Sequence, residues 1–134
     1  MACLDTTVLI DLLRPRRASV VTAAIEPLLR AGATLCTTRI NAAELYVGVE
    51  RARDSKVEGK SVAELLSRLV MLEFNESAAR QFGRFTAHLQ QIGRPAGDMD
   101  VLIASIAMTH GLPLVTRNPN HFTDLPGVQV VSYR

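Results

Sequence analysis

The run from Met99 to Met108 constrains this chain more than any other stretch, because it is apolar except for Asp100 and Ser105. A helix that is apolar on nearly every side belongs inside a protein. An ionised carboxylate taken inside is costly unless something pairs with it. Asp98, after Gly97 and before the apolar run, reads as an N-cap. Asp100 lies further in, where a first-turn acid gains only ~0.3–1 kcal/mol from the helix dipole. Two more acids share this predicament. Asp5 ends the short apolar segment Ala2-Cys3-Leu4, and Glu44 is the only charged residue between Arg39 and Glu50. Ile40, Ala43, Val47 and Gly48 share the helical face of Glu44, and a glutamate in such a stripe calls for a partner.

Periodicity and turn signals divide the chain into short strands and helices. After the strand at Ala2-Cys3-Leu4, Thr6 and Thr7 are placed to cap a helix running to about Leu13, which Pro15 stops. Ser19 to Arg30 has helical spacing, with Pro27 predicting a kink or a division and Gly32 an end. Ala33–Thr37 reads as a strand, and Thr38 caps the helix that carries Glu44. Arg51 to Lys60 is predicted to be a loop, followed by a capping box at Ser61–Glu64 that opens a helix to about Leu69. Val70–Phe74 is a third strand. Asn75 caps a long helix ended by Gly93 and Pro95. Gly111 and Pro113 turn the chain into the strand Leu114-Val115, the loop Arg117-Asn118-Pro119-Asn120 follows, and a last strand covers about Val128 to Val131.

Strands alternating with helices predict an α/β fold, a three-layer α/β/α sandwich around a parallel sheet of about four to five strands. No linker or repeat interrupts residues 1–134, so a single domain is expected. No apolar run approaches the ~18 residues of a membrane span. The N-terminus lacks the basic region of a secretory signal, and a cytoplasmic protein is expected. Cys3 and Cys36 fit buried, reduced thiols. Net charge is only +2, but 13 of the 15 basic residues are Arg, the side chain suited to bidentate contact with phosphate or carboxylate. Arg14, Arg16 and Arg17 cluster early, Arg51 and Arg53 lie mid-chain, and Arg94 and Arg117 flank the later motifs.

In open α/β sheets, ligands bind outside the carboxyl ends of the strands. Asp5 belongs at that rim. Glu44 and Asp100 lie near the starts of helices entering from it, and Asn118 follows the strand that ends at Thr116. Taken singly, Asp5 and Asn118 also suit turns, and Glu44 suits a half-buried ion pair. Together they place three carboxylates and an amide around one pocket, where mutual repulsion calls for a cation. Oxygen ligands alone favour Mg²⁺ or Mn²⁺ over zinc.

Four segments, Leu4-Asp5-Thr6-Thr7-Val8-Leu9-Ile10-Asp11, Asn41-Ala42-Ala43-Glu44-Leu45, Gly97-Asp98-Met99-Asp100-Val101-Leu102-Ile103-Ala104 and Leu114-Val115-Thr116-Arg117-Asn118, resemble the signature segments of PIN-domain ribonucleases in order and spacing. The nearest likeness is to the VapC-type toxins of toxin–antitoxin pairs. The resemblance implies that Asp5, Glu44 and Asp100 are metal-binding carboxylates. It implies that Asn118 occupies a fourth position, one that is Asp in many PIN domains. Thr6 and Thr116 match polar positions beside the site, and Asp98 matches the less constant acid of its segment. It further implies cleavage of RNA to a 5′-phosphate and a 3′-hydroxyl with Mg²⁺ or Mn²⁺, a cognate antitoxin laid over the acidic pocket, and a homodimer. Leu12, Leu13, Val62, Leu65 and Leu66 are candidates for apolar surface that partners would cover. The histidines match no catalytic position of the family, and His121 falls near the substrate.

Three other readings compete. A phosphoacceptor receiver needs an acidic pair after the first strand and a lysine near the last; here Thr6-Thr7 follow Asp5, and the only lysines are Lys56 and Lys60. A haloacid-dehalogenase-type phosphatase needs a second Asp where Thr7 stands. A PIN-like scaffold that binds RNA or protein without cutting would have no need of intact Asp5, Glu44 and Asp100.

Overall fold

The computed structural model describes residues 1–94 and 96–134. Five strands form one parallel sheet: β1 (Ala2–Leu4), β2 (Leu35–Thr38), β3 (Val70–Leu72), β4 (Leu114–Thr116) and β5 (Val130–Ser132). Their order is β3-β2-β1-β4-β5, with every neighbouring pair parallel. The chain builds outward from β1 to β3 and then crosses back to place β4 on the other side of β1. The strand order therefore reverses between β1 and β4, which is where such sheets open a ligand crevice.

The two faces of the sheet carry separate cores, as the alternation of side chains along a strand requires. Cys3, Cys36 and Leu114 face α5 (Glu76–Gln91) and α6 (Asp98–Thr109), packing with Phe85, Leu89, Ile103 and Ile106. Ala2, Leu4 and Val115 face the other way, toward α1 (Thr6–Leu13), α2 (Pro15–Arg30), α3 (Arg39–Arg51) and α4 (Ser55–Ser67). This is the expected three-layer α/β/α sandwich, with five strands. Both cysteines are buried and free.

Several boundaries differ from the sequence expectation. Pro15 does not leave a gap after α1; it opens α2 at the first helical position, where its missing N–H costs nothing. Pro27 lies inside that same helix without dividing it. Gly32, at φ +82°, ends the segment. The stretch expected as a loop is largely helix, since α4 begins at Ser55 rather than Ser61. Asp54 caps it by accepting from the Val57 N–H at 3.2 Å, and Val62 and Leu66 are buried one turn apart. That burial offsets the cost of Gly59 within the helix, ~1 kcal/mol. Val62 and Leu66 thus belong to the core and not to an apolar surface. Ser61 donates to the Val57 carbonyl in mid-helix instead of capping. The loop after β4 contains a 3₁₀ turn, Pro119–Phe122. Thr38 and Asn75 cap α3 and α5 as expected. The terminator assigned to Pro95 lies outside the described residues.

Candidate active site at the β1–β4 crevice

Asp5 stands at the carboxyl end of β1, its backbone N–H bonded to the Val115 carbonyl of β4. It occupies the N-cap position of α1, yet its side chain makes no cap bond. The carboxylate is turned into the crevice and held there. Thr116 Oγ1 donates to Oδ2 at 2.7 Å, and Asn41 Nδ2 donates to Oδ1 at 3.3 Å. Thr7 Oγ1 lies 3.5 Å from Oδ2. Thr6 and Thr7 therefore serve the site rather than capping α1, contrary to expectation, because they already lie inside the helix.

Glu44 projects from α3, half-buried, and accepts from Thr6 Oγ1 at 2.6 Å. Asn41, one turn earlier, is fully buried and joins the two acids: its Nδ2 donates to Thr6 Oγ1 at 2.9 Å as well as to Asp5. Its Oδ1 accepts from the Thr38 hydroxyl at 2.7 Å within the capping box of α3. Asp100, in the first turn of α6, lies 3.2 Å from His121 Nδ1 through its Oδ2. Asn118 caps the 3₁₀ turn by position only, and its N–H donates to Thr116 Oγ1 at 3.0 Å.

Asp98 is not brought to this group. Gly97, not Asp98, is the cap residue of α6. Asp98 is exposed and lines a small cavity with Thr86, Leu89 and Gln90 of α5.

Burial raises the Glu44 carboxyl above the usual range; its bond from Thr6 opposes this, and the charges of Asp5 and Asp100 add to it. Burial likewise raises the Asp100 carboxyl, with His121 opposing and Asp5 adding. Among the described residues, no Lys or Arg pairs with Asp5, Glu44 or Asp100. The donor set is oxygen-only and negatively charged, which suits a hard divalent cation. Among the described residues no three such side chains converge closely enough to hold an ion as they stand. Glu44 is turned toward Thr6 through Oε1 and Asp100 toward His121 through Oδ2.

The raised carboxyls have a consequence for stability. A carboxyl raised by folding keeps its proton after the unfolded chain has lost it. Folding stability therefore falls as pH rises from the ordinary carboxylate value through the raised one. Glu44→Gln removes that penalty and keeps an acceptor for Thr6. Without divalent cation, the variant is expected to melt at or above the wild-type temperature at neutral pH. The difference should close below pH ~4, where both states are protonated. Melting curves across pH check this, and a variant that melts lower at neutral pH contradicts it.

Below the acids lies a second charged centre that the sequence reading did not find. Asp11 of α1 is fully buried, and Arg117 Nη1 reaches both of its oxygens at 3.0 and 3.2 Å. Tyr133 Oη donates to it at 2.9 Å, and Arg17 Nη2 stands 3.5 Å away. The Tyr133 hydroxyl is raised by burial and by its bond to Asp11. Two of the arginines singled out in the sequence, Arg17 and Arg117, are thus engaged with this buried carboxylate, their side chains 29% and 35% exposed. The Arg117 N–H also donates to Thr7 Oγ1 at 3.1 Å, tying this centre to the crevice. The available signal was an Asp inside the apolar stretch Val8–Leu13.

On the Glu44 side, a groove of about 470 Å³ runs between α1, α3 and α4, walled by Ile10, Leu13, Leu45 and Val62 with Arg14 at its edge.

A parallel α/β sheet with Asp5, Glu44 and Asp100 at its switch point defines a class of α/β domains with an acidic crevice. The chain belongs to the PIN domain family, whose model matches residues 2–128. It is 34% identical over 88 residues to ribonuclease VapC2 of Haemophilus influenzae, covering 66% of this chain and 67% of that one. It is 32% identical over 96 residues to the tRNA(fMet)-specific endonuclease VapC of Salmonella typhimurium, covering 72% and 73%. Among solved structures it resembles VapBC2 from Rickettsia felis bound to a DNA fragment from their promoter, with TM-score 0.90 and 26% identity over 99% of this chain and 98% of that one.

Proposed function

We propose that this chain is a ribonuclease dependent on Mg²⁺ or Mn²⁺, the toxin of a toxin–antitoxin pair, acting as one nuclease domain over residues 1–134. The observation that carries this reading is the set of three acids at the switch point: burial raises the Glu44 and Asp100 carboxyls, the charge of Asp5 adds to both, and among the described residues none of the three has a Lys or Arg partner. The ribonuclease names of the relatives support it, as does the likeness to VapBC structures, one of them described as a member of the VapBC family of toxin–antitoxin systems.

Asp5, Glu44 and Asp100 are the proposed ligands, with Asn118 beside them. A bound divalent ion would supply Lewis acidity and charge neutralisation at a phosphodiester. The chain's own residues set the geometry. Thr116 and Asn41 fix the Asp5 carboxylate, Thr6 orients Glu44, and Thr116 also holds the backbone at Asn118. Hydrolysis adds water at phosphorus and breaks the bond to the 3′ oxygen, leaving a 5′-phosphate and a 3′-hydroxyl. Asp98, exposed and facing α5, stands outside this ligand set.

Purified protein is expected to cut RNA with Mg²⁺ or Mn²⁺, to stop in chelator, and to resume on metal re-addition. Undiminished cleavage in excess chelator contradicts the reading, as does a full-chain protein that binds RNA with metal and never cuts it.

The groove from Glu44 along α1, α3 and α4 suits an antitoxin segment with an apolar face and a basic residue reaching the acids. Tyr46, Val47 and Val57 are large apolar side chains left exposed on α3 and α4, and a homodimer would cover such surface. Sedimentation showing only monomer at micromolar concentration would remove the dimer. Among the described residues no helix is long and apolar enough to cross a membrane. The cytoplasm, where RNA and antitoxin meet the enzyme, is its proposed location.

A further inference from the structure

The acids are flanked on their other side by a second cavity that the reaction as described does not use. It measures about 290 Å³, lies between the end of α5, the start of α6 and the 3₁₀ turn, and has Asp100 in its wall. Its apolar lining is Leu89, Ala96 and Leu125, and its polar groups are Arg94, Asn120, His121 and Asp124. Ligand pockets run from ~300 Å³ upward, so this one is sized for a single ring system rather than an extended chain. Because Asp100 belongs both to this cavity and to the proposed ligand set, the cavity's occupant sits one side chain from the phosphate being cut. In an RNA strand, the group at that distance is the base of a flanking nucleotide.

The polar groups narrow which base. Arg94 Nη1 and Asp124 Oδ1 stand 3.6 Å apart, too far for a good hydrogen bond, with the side chains 69% and 37% exposed. They form a loose pair that both partners can leave. Arginine finds its best base partner in the O6 and N7 acceptors of guanine. A carboxylate has two acceptor oxygens and no donor, so both are matched only by a base with two adjacent donors. Guanine has them, as N1–H and the 2-amino group; adenine and cytosine offer one amino group, and uracil one ring N–H. The two charges therefore favour the same base independently. The His121 ring, its side chain 52% exposed, supplies a face on which an unstacked base can rest.

We propose that this cavity is a guanine-selective subsite, seating the base of a nucleotide next to the cleaved bond. Asp124 accepts from N1–H and the 2-amino group, Arg94 donates to O6, and the His121 ring stacks. The inference rests on the ribonuclease reading and adds a base preference to it.

The test uses the full chain, Mg²⁺ or Mn²⁺, and a randomised pool of single-stranded RNA whose new 5′ ends are sequenced. Guanine is expected to be enriched at one position beside the cut. In a defined substrate taken from that pool, replacing this guanosine by inosine, which lacks the 2-amino group, should lower kcat/KM about tenfold. Asp124→Asn should lose a similar factor on the guanosine substrate and no longer distinguish it from inosine. Arg94→Gln, altered on an exposed side chain, should flatten the guanine enrichment on its own. A wild type that cuts with no preference, or with preference for another base, overturns the subsite, and so does Asp124→Asn that still discriminates inosine fully. Asp5→Asn is the control for the underlying reading: cleavage of the pool by that variant, or no cleavage by the wild type, removes the ribonuclease assignment and the subsite with it.

Discussion

Asp100→Asn is expected to lose RNA cleavage by more than the ~10–100-fold typical of residues one layer behind a metal, without loss of stability in chelator. The expectation follows from where Asp100 stands. It is partly buried, its carboxyl is raised chiefly by that burial and further by Asp5, and His121 is its close partner among the described residues. Asparagine keeps the shape and an acceptor for His121 but removes a charge that crowds two others. The helix-dipole benefit forgone is ~0.3–1 kcal/mol, and relief of repulsion and desolvation opposes it. Melting in chelator should therefore stay level or rise. If Asp100 were only a first-turn acid stabilising α6, the pattern would reverse, with a lower melting temperature and nearly intact cleavage.

Asp11→Ala is expected to have the largest effect on folding. Asp11 is fully buried and serves Arg117, Tyr133 and Arg17 together. Removing one side of a buried charge pair costs about 3–5 kcal/mol, because the other charge stays behind without compensation. For a chain of this size that corresponds to a fall in melting temperature on the order of 10 °C or more. The loss should be the same with and without divalent cation, which separates it from changes at the three acids. Cleavage measured well below the melting temperature should also fall, because Arg117 anchors the turn leading to Asn118 and its N–H holds Thr7. Asp11→Ala melting within a few degrees of wild type would mean that the arginines find other partners and the centre is dispensable.

These two residues also mark what the sequence could and could not convey. Asp100 was legible because its cost is local: an acid in the first turn of an all-apolar helix is anomalous whatever the rest of the fold does. Asp5 and Glu44 were anomalous in the same way, and strand–helix alternation was enough to bring them to one rim. Asp11 was equally anomalous on its own helix. Its explanation lies in residues more than a hundred positions away, Arg117 and Tyr133, and no local pattern links them. Asn41 was hidden for a related reason. A lone Asn near a helix start reads as capping, and it does complete the capping box of α3, while its amide nitrogen reaches Thr6 and Asp5.

The helix boundaries were misread where tertiary burial outweighed local signals. Arg53-Asp54-Ser55-Lys56 and Gly59 look like a loop, and Ser61–Glu64 looks like a helix start. Asp54 nevertheless caps a helix held in place by Val62 and Leu66 against α1 and α3. Thr6 and Thr7 read as caps in the sequence because a threonine hydroxyl at a helix start can accept from the first free N–H groups. Here the first turn of α1 points their hydroxyls into the crevice instead, toward Glu44 and Asp5.

Asp5, Glu44 and Asp100 are proposed to hold a divalent cation together. The most direct test is a titration of the purified chain with Mn²⁺, free metal being followed by its paramagnetic resonance, for wild type and Asp100→Asn side by side. The account predicts saturable binding by the wild type, a rise in its melting temperature as the site fills, and loss of both in the variant. Mn²⁺ binding of equal strength in Asp100→Asn, or none in a wild type that still cuts RNA, would contradict it.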